Sequence, residues 1–364
     1  MPLPPFRADH VGSLLRPPEL REARARFKSG TIDAAALRAV EDAAIREAVA
    51  RQEAIGLAAI TDGEFRRDFW HLDFIAGLDG IVLKPSTAMK FQGVEEIPPT
   101  PQVVGRIGAS QPNMVDHFEF LRSVTRRTPK FTIPGPAMVH LRGGTRNIPR
   151  EVYPDAAQFW VDLGAAYRQS IARLAAAGCT YLQIDDVTFA YLADDKVRAM
   201  SAANGDDPDT LAWRYADAVN KALTDRPAGM TVTMHTCRGN FQSTWVAEKP
   251  YEARATEAMF TTNVDAYFME FDSERAGGFE ILRLLPRDKG VVLGLVTTKL
   301  GALEDKATLI GRIREAERHV PLERLAISPQ CGFSSTHHGN RLAYDEQWRK
   351  LERVVEVARE VWGT

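Results

Sequence analysis

The sequence predicts an α/β protein of the (β/α)8 barrel class, also called a TIM barrel. Short segments rich in β-branched and apolar residues alternate with longer amphipathic segments, the pattern of parallel strands joined by helical crossovers. Several strand segments, such as 291–296, are almost continuously apolar, which is typical of strands covered on both faces. Eight such units fit a closed barrel better than an open doubly wound sheet, which is the alternative fold.

Eight strands and five long helices follow from these patterns. The strands are predicted at 6–12, 58–63, 130–135, 180–185, 231–236, 265–270, 290–296 and 324–328. The helices, recognised by apolar residues at helical spacing, are predicted at 31–55, 155–177, 208–223, 302–319 and 345–362. Because α/β barrels run past 250 residues as one unit, we expect residues 1–364 to form a single barrel domain.

The stretch 81–127 breaks the alternation of strands and helices. It contains Pro98, Pro99 and Pro101, followed by a strand-like segment at 102–107. Prolines interrupt regular structure and mark turns and edges. We therefore expect a hairpin-like insertion into the barrel here rather than a second domain.

The composition excludes several classes of function. Lys and Arg total 46 and Asp and Glu total 48, so the net charge of −2 favours neither nucleic acid nor a membrane as a partner. No apolar run reaches the roughly 20 residues of a membrane span, and the first residues lack the pattern of a signal peptide. Three cysteines are too few for a disulfide framework and favour a reducing compartment. We therefore expect a cytoplasmic protein.

Residues capable of chemistry lie at the carboxyl ends of the predicted strands. In chain order these ends carry Ser13, Asp62, Glu64, Asp185, Asp186, His235, Cys237, Glu270, Lys299 and Cys331. In a barrel the carboxyl ends of all strands converge on one mouth, which is where active sites lie. The sequence therefore predicts an active site at this mouth.

Four of these residues form a set that suits zinc, which favours tetrahedral sites of thiolate, imidazole and carboxylate. His235 and Cys237 are two residues apart, so both side chains point to the same face of a strand. Such a pair alone is more often a buried core feature than a metal site. Glu270 and Cys331 at nearby strand ends reverse that weighting, and we predict that all four bind one Zn²⁺. Cys179 lies at the opposite end of its strand and is interpreted as core.

Seven segments resemble, in the same order, the C-terminal catalytic domain of cobalamin-independent methionine synthase. They are RADHVGSLLRP, TDGEF, PGPAM, LQIDD, MHTC, MEFD and SPQCGF, and they cover nearly the whole chain. The resemblance is closest to the short, single-barrel members. It implies a zinc-dependent S-methyltransferase of methionine biosynthesis, similar to 5-methyltetrahydropteroyltriglutamate–homocysteine methyltransferase. Such an enzyme transfers a methyl group, here from 5-methyltetrahydrofolate or a corrinoid, to the zinc-bound thiolate of homocysteine.

The resemblance also implies roles for individual residues. The four residues of the predicted zinc set match the family's metal ligands. Ser13 matches the residue whose backbone region holds the homocysteine carboxylate, and Glu64 and Asp185 match the carboxylates that bind its ammonium group. The plainer interpretation of Ser13 is a helix N-cap and that of the two acids is solvated loop residues. Carboxylates at strand ends in a barrel mouth are more often functional, which favours the roles in substrate binding.

Two positions depart from the family pattern. Longer members carry a histidine after strand seven for proton transfer, whereas this chain reads GLVTTKLG, with Thr297 or Thr298 in its place. A threonine hydroxyl does not titrate near neutral pH. The tryptophan that stacks on the pterin after strand three also has no counterpart, since His140 or Arg142 lies there. The identities of the donor and of the thiol therefore stay open.

A methylfolate donor requires a general acid, because N5 must gain a proton to leave. His10 precedes the carboxyl end of strand one and is the candidate catalytic residue, since histidine titrates near neutral pH. His337 and His338 follow strand eight and are further candidates, although exposed loop histidines are the plainer interpretation. Trp70 is expected to line the pocket or to pack in the core or a lid.

Two other functions stay open at this stage. Epoxyalkane:coenzyme M transferases resemble the same family and share the zinc arrangement, and the loss of the strand-seven histidine fits an electrophile other than a folate. A non-catalytic zinc- or thiol-binding protein is the third interpretation, against which the complete ligand set weighs. A barrel by itself does not decide among these functions.

Overall fold

The computed structural model describes residues 4–85 and 96–363. The strands within these ranges are β1 (Ala59–Ile60), β2 (Asp79–Lys84), β3 (Thr100–Gly108), β4 (Thr128–Pro134), β5 (Tyr181–Asp186), β6 (Thr231–Thr236), β7 (Ala266–Glu270), β8 (Gly290–Val296) and β9 (Leu325–Pro329). The helices are α1 (Pro18–Lys28), α2 (Ala34–Ile55), α3 (Leu72–Ala76), α4 (Val115–Val124), α5 (Ala156–Ala176), α6 (Thr188–Tyr191), α7 (Asp195–Ala203), α8 (Leu211–Ala222), α9 (Ala253–Phe260), α10 (Lys306–Glu317) and α11 (Tyr344–Trp362). Among these helices, none combines the length and the apolar content that crossing a bilayer requires.

Seven of the strands form one curled parallel sheet in the order β1–β4–β5–β6–β7–β8–β9, which confirms the predicted barrel-type α/β fold. Each residue of β5, β6 and β8 is buried, as expected for strands covered on both faces. Strands β6 and β8 also have the predicted bounds, and the five predicted helices are observed as α2, α5, α8, α10 and α11.

A small apolar layer fills the inside of the curled sheet. Val11, Phe268, Val292 and Ala326 form a separate buried cluster, contributed by the N-terminal segment and by β7, β8 and β9. Larger clusters of buried side chains lie between the sheet and the surrounding helices. This arrangement of a filled interior inside a helical layer is that of a TIM barrel, whose interior is a packed core.

The prediction of a strand at 6–12 is wrong. Among the described residues this segment makes a single parallel bridge, Ala8 with Ile327 of β9, instead of a regular ladder. The next carbonyls along the segment accept hydrogen bonds from side chains: Lys130 Nζ donates to the His10 oxygen (2.6 Å) and Gln183 Nε2 to the Val11 oxygen (2.7 Å). Acceptors occupied in this way are not available to a backbone ladder, so the segment closes the gap between β9 and β1 without forming a strand.

The insertion is confirmed over its described part. Strand β2 pairs antiparallel with β3, with Ile81 opposite Val103, and the hairpin leads into α4. Residues 86–95, inside the predicted insertion, lie outside the described ranges. The segment that enters β3 reaches the barrel mouth, where Pro98 lines a cavity.

A buried ion pair attaches the N-terminal segment to the sheet. Lys130 Nζ lies 3.1 Å from Asp9 Oδ1, and both side chains are fully inaccessible. The other carboxylate oxygen of Asp9 accepts a 2.6 Å hydrogen bond from the Tyr181 hydroxyl, and the Lys130 ammonium lies 4.1 Å from the Phe268 ring centroid. Both charged groups of the pair therefore have further polar or aromatic partners at the place where the segment closes the barrel.

We predict that Asp9→Asn destabilises the protein by about 3 kcal/mol, because it leaves the Lys130 charge buried without a counter-ion. The free energy of unfolding is measured by urea denaturation. The exposed helical pair Lys221–Asp217 supplies the control, since Asp217→Asn removes a solvent-screened contact and should change little. Equal effects of the two substitutions would contradict the role of the buried pair.

Candidate metal centre and active-site cavity

An open cavity lies at the carboxyl ends of the strands, where the barrel fold predicts the active site. Its lining combines residues from almost every part of the chain. They are Val11, Ser13, Glu64, Phe69, Trp70, His71, Pro98, Met138, Leu141, Arg142, Asp185, Val187, Tyr191, His235, Cys237, Gly239, Asn240, Phe241, Cys331, Gly332, Ser335 and Thr336.

The structure brings the four predicted zinc residues together at the base of this cavity. The ligand-capable atoms of His235, Cys237, Glu270 and Cys331 all lie within 4.8 Å of one another, and all four residues are buried. The two sulfur atoms are 3.5 Å apart and both cysteines are free, so they are not joined in a disulfide. Two sulfurs, an imidazole and a carboxylate form the donor set that zinc prefers.

Close approach of the strands produces this convergence. A Cβ on Gly294 of β8 would lie 2.7 Å from the Cα of Gln330, so a side chain there would push the end of β9 away. Glycine at this position lets the chain after β9 cross close to β8 and β7. This crossing brings Cys331 close to His235 in β6 and to Cys237, which directly follows β6.

Hydrogen bonds from neighbouring residues orient the quartet formed by His235, Cys237, Glu270 and Cys331. Glu270 Oε1 accepts from the backbone N–H of Arg238 (2.9 Å), and its own N–H donates to the Tyr251 hydroxyl (2.8 Å). Its second oxygen, Oε2, is buried and finds no hydrogen-bond partner among the described residues. Cys237 Sγ accepts from the N–H of Gly239 (3.3 Å). A buried carboxylate oxygen left without a partner fits a site built to hold a cation.

The charges within the quartet are strongly coupled. Burial opposes ionisation of Cys331, but the hydrogen bond with Cys237 and the charge of His235 outweigh it and lower the pKa of Cys331 to about 7. The same thiol contact, together with burial, raises the pKa of Cys237 well above its ordinary value. Burial disfavours a charged His235, yet Asp185 and the Cys331 charge raise its pKa to about 9. A metal ion bound by this set would displace the protons of its thiols and imidazole.

Asp185 stands directly behind the imidazole of His235. Its Oδ1 lies 3.6 Å from His235 Nδ1 and accepts a 2.6 Å hydrogen bond from Gln183 Nε2. A carboxylate facing the second nitrogen of a histidine is the usual arrangement around metal-binding imidazoles. Asp185 also lines the cavity, so it is available to a bound ligand.

Glu64 is held in the cavity wall in a strained backbone conformation. Its φ of 59° is uncommon for a residue with a side chain, and Asp62 Oδ1 stabilises the turn by accepting its N–H (2.9 Å). Thr132 Oγ1 donates to its carboxylate (2.7 Å), and Arg67 Nη1 lies 3.6 Å away. Such strain is concentrated at functional sites. Burial, partly offset by Arg67, raises the pKa of Glu64 to about 7.

Ser13 lies on the same cavity wall but does not begin a helix. Its Oγ accepts the N–H of Ser334 (3.4 Å), and its carbonyl accepts the N–H of Phe333 (2.9 Å). A Cβ on Gly332 would lie 1.9 Å from Ser13 Oγ, so a side chain there would displace the serine hydroxyl. The N-terminal segment and the chain after β9 are therefore in contact at the cavity.

His10, the candidate general acid, is not brought to the cavity. Side chains alternate along the segment, so Val11 and Ser13 face the cavity while His10 packs beside Gln52 of α2 and Ala59. Burial and the Lys130 charge lower the pKa of His10 to about 4, so it is neutral at pH 7.

Thr298, at the position of the missing histidine, and the further candidates His337 and His338 do not line the cavity either. Thr298 is buried, and its N–H and hydroxyl both bond to Gln330 Oε1. His337 and His338 stack on each other with ring centroids 3.8 Å apart, and His338 pairs with Glu96 at 2.7 Å.

Trp70 lines the cavity, which is one of its expected placements. The structure adds cavity residues that the sequence did not identify as functional, and His71, the neighbour of Trp70, is one of them. Tyr191 and Asn240 approach from the chain after β5 and β6. Only His71 had a recognisable sequence feature, a titratable residue directly after a candidate pocket tryptophan.

We predict that Cys237→Ser weakens zinc binding by roughly 100-fold or more, because a hydroxyl is a much poorer zinc ligand than a thiolate. Zinc content and affinity are measured by mass spectrometry and by competition with a chelator. Cys179→Ser is the matched control: Cys179 is also buried and free but lies at the start of β5, outside the quartet. If Cys237→Ser retains zinc as well as Cys179→Ser does, the quartet is not the metal site.

Comparison with known proteins identifies relatives over the full length of this chain. The Bacillus subtilis protein YxjG is 44% identical over 363 residues, which cover 99% of this chain and 95% of YxjG. A crystal structure from Listeria monocytogenes, assigned as a vitamin-B12-independent methionine synthase, superposes with a TM-score of 0.77 at 36% identity and 99% coverage of both chains. The 5-methyltetrahydropteroyltriglutamate–homocysteine methyltransferase of a Synechococcus strain is 24% identical over 99% of this chain, but that match covers 44% of the longer protein.

The family comparison agrees with these relatives. Residues 6–360 match the family described as cobalamin-independent synthase, catalytic domain. The match includes all seven motifs from which the resemblance was inferred. This chain therefore belongs to the family of cobalamin-independent synthase catalytic domains, which are methyltransferases of the methionine synthase type.

Proposed function

We propose that this protein is a zinc-dependent methyltransferase that converts homocysteine to methionine, and that residues 1–364 act as a single catalytic domain. The observation that carries the proposal is the convergence of His235, Cys237, Glu270 and Cys331 within 4.8 Å, beside a cavity that Ser13, Glu64 and Asp185 line. One cavity thus offers groups for each part of an amino-acid thiol.

The four residues would hold the metal, and the chemistry of their donor atoms fits zinc better than the oxygen-preferring cations. A zinc ion held there would keep the thiol of homocysteine, whose ordinary pKa is near 8.5, deprotonated at neutral pH. Glu270 is the weakest of the four ligands and is the group expected to yield its position to the incoming sulfur. The oxygen of Glu270 that lacks a partner among the described residues is consistent with this adjustable role.

The amino-acid end of the substrate would be bound by other groups that line the cavity. Glu64 and Asp185 would accept hydrogen bonds from the ammonium group, and the backbone around Ser13 would donate to the carboxylate. Charge-assisted hydrogen bonds of this kind are about twice as strong as neutral ones. Fixing both ends of the substrate aims its sulfur at the methyl group, and such orientation is a large part of catalysis.

The donor consistent with the family is a methylfolate. A Synechococcus relative carries 5-methyltetrahydropteroyltriglutamate in its name, and the family is described as cobalamin-independent, so a corrinoid donor is not supported. In the reaction the sulfur forms a bond to the methyl carbon, the carbon–N5 bond breaks, and N5 takes up a proton. The products are methionine and tetrahydrofolate.

We expect the zinc-loaded protein to form methionine from homocysteine and 5-methyltetrahydrofolate, supplied both as the monoglutamate and the triglutamate. Methionine is quantified by mass spectrometry. Chelation should abolish the activity and added zinc should restore it, because the thiol loses its activating ion. Cys179→Ser serves as the active control and Cys331→Ser as the inactive one.

A panel of thiols separates this proposal from its alternatives. Alkyl transfer to 2-mercaptoethanesulfonate from an epoxide, with none to homocysteine, would favour a coenzyme M-type transferase. Zinc and homocysteine binding without turnover of any methyl donor would favour a binding protein. Full activity after complete removal of zinc would contradict the metal-dependent mechanism.

Binding of the amino-acid end should depend on the ionisation of Glu64, whose pKa is raised to about 7. The ammonium group requires the carboxylate, so affinity is greatest above pH 7 and falls, by up to about tenfold per unit, as the pH drops below it. L-methionine is the probe, because it has no ionisable thiol, and binding is followed by calorimetry from pH 5.5 to 8.5. Glu64→Gln should bind more weakly and lose most of the pH dependence. An unchanged pH profile in this variant would exclude Glu64 as the titrating group.

A further inference from the structure

By chemistry, the residues that line the cavity divide into two halves. One half consists of thiol and carboxylate groups, and the other mainly of apolar and aromatic side chains, among them Phe69, Trp70, Met138 and Leu141. Two polar residues interrupt this apolar half, His71 and Arg142. The first half accounts for homocysteine, whereas the proposed function does not yet use the two polar residues of the second.

His71 is a buried imidazole without a partner in the described parts of the chain. Its exposed fraction is 3%, and neither ring nitrogen makes a hydrogen bond to any residue of 4–85 or 96–363. Its backbone carbonyl is used, since it accepts the N–H of Ile75 at the start of α3. An unpaired buried polar group costs folding free energy, so it usually has another role.

The ring of His71 is held in place by its neighbours. The ring of Trp70 packs against it with centroids 4.6 Å apart at an angle of 38°. Burial and the charge of Arg142 lower the pKa of His71 well below its ordinary value, so the ring is neutral at physiological pH. A neutral imidazole offers one donor and one acceptor at fixed positions.

Arg142 places a positive charge in the same half of the cavity. It is 9% exposed, and Nη1 donates to the carbonyls of Pro98 (3.3 Å) and Pro99 (3.2 Å) in the segment leading into β3. Anchored in this way, the guanidinium favours a ligand that carries negative charge.

We propose that His71 is a specificity-determining residue that hydrogen-bonds the heterocycle of the methyl donor, with Arg142 providing the charge for the donor's anionic part. The inference rests on the proposed function, because it assigns the apolar half of the same cavity to the second substrate. A planar ligand with adjacent donor and acceptor atoms and a carboxylate matches the aromatic wall, the neutral imidazole and the guanidinium. A reduced folate belongs to this chemical class.

The test compares His71→Leu, which removes both ring nitrogens, with His71→Gln, which keeps a donor and an acceptor. Binding of 5-methyltetrahydrofolate and of homocysteine to the zinc-loaded protein is measured separately by calorimetry, alongside zinc content and Tm. His319→Leu, at the end of α10 outside the cavity, is the control.

We expect His71→Leu to weaken folate binding by about tenfold or more, while homocysteine affinity and zinc content stay within about twofold of wild type. Its Tm should be unchanged or higher, because the substitution removes unpaired buried nitrogens. His71→Gln should recover most of the folate affinity, and His319→Leu should match the wild type in every measurement.

Folate binding by His71→Leu that equals wild type would overturn the inference. A drop in Tm with parallel losses of both affinities would assign His71 a structural role and would overturn it too, as would a wild-type protein that binds no methylfolate. Failure of the proposed function appears differently: the wild type would bind the folate, with His71 dependence intact, yet would bind no homocysteine or form no methionine.

Discussion

The site depends on one electrostatic constraint: two cysteine sulfurs and a carboxylate share a buried volume with a single histidine. The sulfurs of Cys237 and Cys331 are 3.5 Å apart, and the Glu270 oxygen is 4.0 Å from His235 Nε2. In a low-dielectric interior these groups cannot all ionise without a nearby cation. Because of this proximity the set retains protons, and a metal ion that bound there would replace them.

The position of the N-terminal segment at the site depends on its interactions with neighbouring strands. The N-terminal segment is attached through the Asp9–Lys130 pair, and side chains from β4 and β5 occupy the carbonyls of His10 and Val11. Because the segment is fixed along its length, Ser13 reaches the residues after Cys331 and completes the cavity wall. The contacts that close the barrel therefore also set the geometry of the site.

Two features of the cavity oppose stability and point to function. Glu64 adopts a left-handed backbone conformation with a buried carboxyl group, and His71 is buried without a partner among the described residues. Both would be removed by selection for stability alone, and both face the cavity. Such local costs persist where the group is needed for a ligand. The family relationship establishes the fold, and a fold by itself does not decide the individual chemistry.

The amino-acid sequence by itself determined the barrel class and the bounds of β6 and β8, because apolar periodicity is a local signal. It also determined the identity of the four residues that come together, because the strand ends of any parallel barrel converge on one mouth. Only the tertiary structure decided that segment 6–12 is irregular and that the His10 side chain points away from the cavity. Both features depend on which carbonyls distant side chains such as Lys130 and Gln183 reach, and no local pattern encodes that competition. The same holds for His71, whose lack of partners is a property of the folded cavity.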